Sequence, residues 1–152
     1  MFHSKELSST TKNKLIISKF TLKTYQLTNA NLIVHHDYLE LQLLHECHFD
    51  DELLQQSFQI KKNHFNNNKI GILIIRQNLG HAYSFDPSIL INEKEKLENH
   101  AKWVTVISEK GNDFQNLEFV KMLTNIPCYS FESYQDFESS LVGEELQLKN
   151  GN

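Results

Sequence analysis

Arginine occurs once in this 152-residue chain, at Arg76, directly after the apolar run Ile70 to Ile75. A guanidinium offers a rigid fork of donors that suits carboxylate and phosphate groups. Asn78, His81 and Asp86 follow closely, so the stretch from Arg76 to Asp86 concentrates groups able to bind a polar ligand or partner. In open α/β sheets ligands gather outside the carboxyl ends of the strands, which is where a strand over Ile70 to Ile75 would leave Arg76. The competing reading of Arg76 is a surface ion pair with a nearby carboxylate.

The next chemistry-bearing segment is Asp86-Pro87-Ser88. Aspartate before proline matches an N-cap followed by a first-turn proline. The exposed N–H groups and dipole of a helix start favour negative charge, so a phosphate on Ser88 would be partly compensated there. Capping alone also explains the tripeptide, with Ser88 a solvated first-turn residue. His45-Glu46-Cys47-His48, with Asp50 and Asp51 after it, supplies residue types that bind metals. Zinc needs three or four such groups on a tetrahedron at ~2.0–2.3 Å. No second cluster completes that set, and of His35 and His36 an extended strand presents only one to a given face. No metal is therefore expected.

Cys47 and Cys128 are the only cysteines. A catalytic thiol needs a base and backbone donors for an oxyanion, and no glycine-rich turn accompanies either residue. The five glycines are scattered, and neither a Walker-type nor a Gly-x-Gly-x-x-Gly loop occurs. No cofactor and no enzyme chemistry are expected. Phe131, Tyr134 and Phe137 offer a different possibility, the margin of an exposed aromatic patch for partner docking.

These residues need a scaffold, and the composition limits its kind. Hydrophobic residues make up 39% and charged residues 22%, with a net charge of −4. Such values describe one globular domain. One arginine and a mild negative charge argue against nucleic acid. Two thiols fit a reducing compartment, read here as a bacterial-type cytoplasm. The first residues are polar and lack the apolar core of a secretory signal. No apolar run reaches the ~20 residues that cross a bilayer. Residues 1–14 and 149–152 read as tails around a single domain over 15–148.

Within that domain, Leu39, Leu41 and Leu43 alternate with Glu40 and Gln42, the period of a half-buried strand. Leu32 to His35 and Tyr38 to Leu44 form a hairpin about His36-Asp37, with a further edge strand from Leu15 to Leu27. Asp50 caps a helix carrying Leu54, Phe58 and Phe65 that ends in Asn66-Asn67-Asn68. Ile70 to Ile75 reads as a strand covered on both faces. A helix from Asp86 to about Asn99, a strand Trp103 to Ile107, and a helix through Phe114, Leu117, Val120 and Leu123 follow. Cys128 to Phe131 is a short strand, and Ser133 caps a last helix with Tyr134, Phe137 and Leu141 on one side. The fold class is α/β: an N-terminal β-hairpin, then βα units, giving a mixed sheet of about four to five strands with helices packed against it.

This order of elements, the run Ile70 to Ile75, the helix opening Ser84-Phe85-Asp86-Pro87-Ser88 and the ending Val120 to Pro127 with Ser133 to Leu141 resemble the SpoIIAA-like or STAS-like domains. The resemblance spans about Asn31 to Leu146. It implies a non-enzymatic regulator that binds a protein partner, an anti-sigma factor or another signalling protein, near the start of the second helix. Some members are switched by serine phosphorylation in an Asp-Ser-Ser-Gly motif. Here Asp86 and Ser88 match that motif, while Pro87 and Ile89 do not. Other proteins sharing this overall fold bind lipids or small apolar molecules, so the alternative is a carrier. The carrier expects a deep apolar cavity; the docking module expects a solid core. Either leaves self-association into a homodimer open.

Overall fold

Alternation of apolar and polar residues sets up the first three strands. In a computed structural model, which describes residues 22–44, 47–76, 84–108 and 113–141, β1 (Lys23–Gln26), β2 (Ala30–Val34) and β3 (Tyr38–Leu43) form an antiparallel meander. Val34 lies opposite Leu39 and Leu32 opposite Leu41, so the buried residues of both strands share one face. The tails assigned to 1–14 and 149–152 lie outside the described residues, as does most of the segment before β1.

Two short elements follow. β4 (His48–Phe49) leads into α1 (Asp51–Phe65), whose N-cap Asp50 accepts a hydrogen bond from the Leu53 amide at 3.0 Å. Acidic Asp51 and Glu52 sit in its first turn and Lys62 and His64 in its last, matching the helix dipole. Asn66 ends it at a positive φ of 54°, which asparagine tolerates better than most residues. The Asn cluster therefore stops the helix where the sequence indicates.

β5 (Ile70–Arg76) is parallel to β3 on one side and to β7 (Ala101–Ile107) on the other, and β8 (Cys128–Phe131) is parallel to β7. The full order is β1-β2-β3-β5-β7-β8, a six-stranded mixed sheet, one strand wider than the expected four to five. The extra strand is β1, in the stretch expected to supply an edge. β4 pairs outside this sheet with β6 (Ser84–Phe85) in a two-stranded parallel ribbon.

From β3 onward each crossover steps in the same direction across the sheet. Right-handed crossovers then place their helices on one face. That face buries Leu54 and Ile60 of α1, Ile89 and Leu90 of α2 (Ser88–Asn92), and Leu117 and Val120 of α4 (Phe114–Leu123) against Leu39, Leu41, Ile74 and Val106. The other face packs Tyr38, Leu73, Trp103 and Ile107 around Phe137 of α5 (134–141). β5 is thus covered on both sides, as its unbroken apolar run requires.

Two expectations are corrected. The helix from Asp86 to about Asn99 is two helices, α2 and α3 (Lys94–His100), separated by Glu93 at φ −114° and ψ 21°. No residue of α3 is fully buried and only Leu97 joins the core, so a single apolar contact is all that would hold it in line with α2. Glu93 is also held from across the groove by Gln55 at 3.1 Å. The aromatic trio near the end is not an exposed patch. Phe137 is 2% exposed and meets Phe131 and Tyr134 edge-on in the second core cluster.

Candidate functional site

The carboxyl ends of β3, β5 and β7 lie together at one edge of the sheet, and the sequence candidates were expected there. Arg76 is the last residue of β5 and is buried, 5% exposed. Its Nε donates to Oδ2 of Asp113 at 2.6 Å, and Asp113, just before α4, is 1% exposed. The pair joins the end of β5 to the start of α4. Arg76 therefore acts as an internal tie, neither a surface ion pair nor a fork presented to solvent. Asn78 and His81 lie outside the described residues.

Asp86 and Ser88 are brought together. Oδ1 of Asp86 accepts the Ser88 hydroxyl at 2.7 Å and the Ser88 amide at 3.0 Å. These two bonds, the side-chain one foremost, hold the Asp86 carboxyl below the usual carboxylate range, and nearby His48 adds to the effect. His48 itself pairs through Nδ1 with the Ser84 hydroxyl at 2.7 Å across the β4–β6 ribbon. The result is an exposed polar rim of His48, Ser84, Asp86 and Ser88.

The other motifs separate. His45 and Glu46 lie outside the described residues, Asp50 caps α1, and Cys47 is buried. Among the described residues no group of three or more His, Cys, Asp and Glu side chains converges as a metal site would. Burial pushes the thiols of both Cys47 and Cys128 up to about 11, away from the thiolate that a nucleophile needs. His35 is buried against Glu40 at 2.9 Å. Glu40 also accepts from Gln42 at 2.8 Å and from the Tyr134 hydroxyl at 3.1 Å. That carboxylate anchors α5 to the sheet.

Behind the polar rim is a feature no single residue announces. A pocket of about 100 Å³ lies between the sheet and helices α1, α2 and α3. Its floor is Leu39 and Leu41 of β3, Ile72 and Ile74 of β5, and Ala101 and Val104 of β7. Phe49 and Phe85 of the ribbon and Ile89 and Leu90 of α2 line the end nearest the rim. The lining is almost wholly apolar. Phe58, Leu97 and His100 are half-buried, so the wall reaches the surface between α1 and α3.

Besides His100, two polar residues interrupt this wall, Ser57 and Lys61, one helical turn apart on α1. Sequence reasoning missed both, although a signal existed. Leu53, Leu54, Ile60 and Phe65 define the buried stripe of α1, and positions 57 and 61 fall on it. Asp113 was also missed, because a partner 37 residues from Arg76 leaves no local pattern. No protein-family model, no curated protein and no solved structure matches this chain.

Proposed function

We propose that this domain works by binding, and that its ligand is a small apolar molecule held between the sheet and helices α1 to α3. The pocket carries this reading. Protein interiors normally close such voids, because an empty one forgoes contacts. Here the apolar lining opens to the surface between α1 and α3 and faces water unless an apolar group covers it. A ligand that fills it recovers those contacts. Of the two readings that the sequence supports, only the carrier expects such a space.

Filling the pocket tests the proposal. Ala101 lines it from β7 and is buried. Ala101→Val puts two methyl groups into the void without changing the strand. Stability is expected to hold or rise by about 1 kcal/mol in urea titrations, from the added apolar burial. Native mass spectrometry of the purified proteins should find a small molecule on the wild type and none on the variant. An empty wild type, together with a destabilised variant, would mean that no usable space exists.

A second reading, a regulatory module that docks a protein partner at α2, is favoured by the outward side of that helix. Ser88 and Ile91 lie three residues apart, both exposed, Ile91 by 64%, while Ile89 and Leu90 turn inward. A charge at Ser88 would change such a surface. Ser88→Asp is then expected to alter the recovery of a protein partner in pull-downs severalfold. Equal recovery removes Ser88 from the account.

A further inference from the structure

We propose that β8 is a self-association edge: two copies of this chain pair antiparallel along it, Tyr129 against Tyr129 across a twofold axis, and join their sheets into one. The pocket plays no part in this interface, so the two readings stand or fall separately.

A sheet that does not close has two margins with unpaired backbone groups, and such margins invite another strand. Here they are β1 and β8. β1 opens with exposed Lys23, a residue type that discourages pairing. β8 reads Cys-Tyr-Ser-Phe, with neither charge nor proline, and keeps one register with β7 throughout. The Val104 amide donates to the Pro127 carbonyl at 2.9 Å and the Ser108 amide to the Phe131 carbonyl at 3.0 Å. Backbone groups of alternate residues turn to the same side of a strand, so Tyr129 also faces β7 while Cys128 and Ser130 face away. Among the described residues the backbone groups of Cys128 and Ser130 have no partner.

A second copy completes them. An antiparallel approach that sets Tyr129 opposite its own equivalent sets Cys128 opposite the second copy's Ser130. Each of those residues then donates its N–H to the residue facing it and accepts through its carbonyl in return. Tyr129 falls in the intervening non-hydrogen-bonded pair, where side chains come closest. It stands level with Thr105, on the face that Trp103 and Ile107 share, and is 47% exposed. Two tyrosines meeting there cover each other's rings. Charge agrees with a twofold axis. Lys121 and Glu118 of α4, paired at 3.2 Å and both exposed, lie close enough to Cys128 to act on its thiol. α4 runs back along the sheet between parallel β7 and β8, so the axis reverses the order of this pair in the second copy and opposite charges meet. An unrelated strand would have to supply that pattern, whereas a copy of this chain already carries it.

β8 is four residues long, so the ladder is short and the dimer weak, with an expected Kd on the order of 0.1 mM. Sedimentation velocity at concentrations spanning that value should show the wild type passing from monomer to dimer. Tyr129→Lys sets like charges opposite each other and removes the ring contact, so Kd should rise about tenfold. Tyr129→Glu should do the same, and an equimolar mixture of the two variants should recover association at least as strong as the wild type's. Tyr129 is exposed, so both variants should fold. A wild type that stays monomeric to about 1 mM overturns the proposal and leaves the edge to a strand from a different protein, and this measurement needs no variant. Dimerisation unchanged in both variants places the contact elsewhere and also overturns it, as does a mixture that recovers nothing.

Discussion

Gly71→Ala is expected to destabilise the domain by about 3 kcal/mol, the upper end of the usual cost of overpacking. Gly71 lies in β5, paired on both sides with β3 and β7. The indole ring of Trp103 occupies the space where an added Cβ would project. That ring cannot simply swing aside. It packs between Tyr38, at 5.9 Å between centroids, and Phe137, at 5.8 Å, and is 7% exposed. The arrangement depends on a register shift between β5 and β7. Ile70 pairs with Ala101 but Gly71 with Trp103, leaving Lys102 as the additional residue of a bulge. Ala101 thereby faces the pocket while Trp103 faces α5. A urea midpoint unchanged by the substitution would show that the indole yields more easily than its packing implies.

The second large effect is expected at Asp113. Asp113→Ala removes the carboxylate that accepts from Arg76 and leaves a guanidinium buried at the end of β5. Breaking a buried pair from one side costs about 3–5 kcal/mol, because the remaining charge loses its carboxylate partner without regaining water. Thermal and urea unfolding should both register the loss. Raising the salt concentration should do little to the wild-type pair, since screening acts weakly on buried charges. A loss below 1 kcal/mol would mean that the guanidinium finds another acceptor or reaches solvent.

Much of the architecture is written in local pattern. The alternation of Leu39, Leu41 and Leu43 marks β3, Asp50 and Asn66 bracket α1, and the run from Ile70 fixes a strand covered on both faces. Cys128 to Phe131 is the strand that the sequence indicates, and Ser133 caps α5 by accepting from the Asp136 amide at 3.1 Å. The elements that escaped notice depend on distant neighbours. The ribbon of His48–Phe49 with Ser84–Phe85 is too short to show a period. The break at Glu93 is invisible because Ile89, Leu90 and Leu97 keep a spacing that one continuous helix would also satisfy.

The candidate site divides in the same way. Asp86 and Ser88 are adjacent enough for the sequence to join them, and the hydroxyl–carboxylate bond follows. Arg76 was legible as a special residue but not as a buried one, since the Asp113 that meets it lies 37 residues away. The pocket has no sequence of its own. It is space left by side chains of three strands and three helices, and only Ser57 and Lys61, polar residues on a buried stripe, mark its wall in the primary structure.

The one-directional winding of the sheet has a consequence for how the chain must emerge during synthesis. Among the described residues every crossover helix shelters the same face, so after residue 131 has been made the apolar side chains of Tyr38, Leu73, Trp103 and Ile107 still await the helix that covers them. That cover is α5, the last helix described. A ribosome-bound chain halted before Phe137 would present a bare hydrophobic flank to chaperones, however completely its earlier layers had assembled.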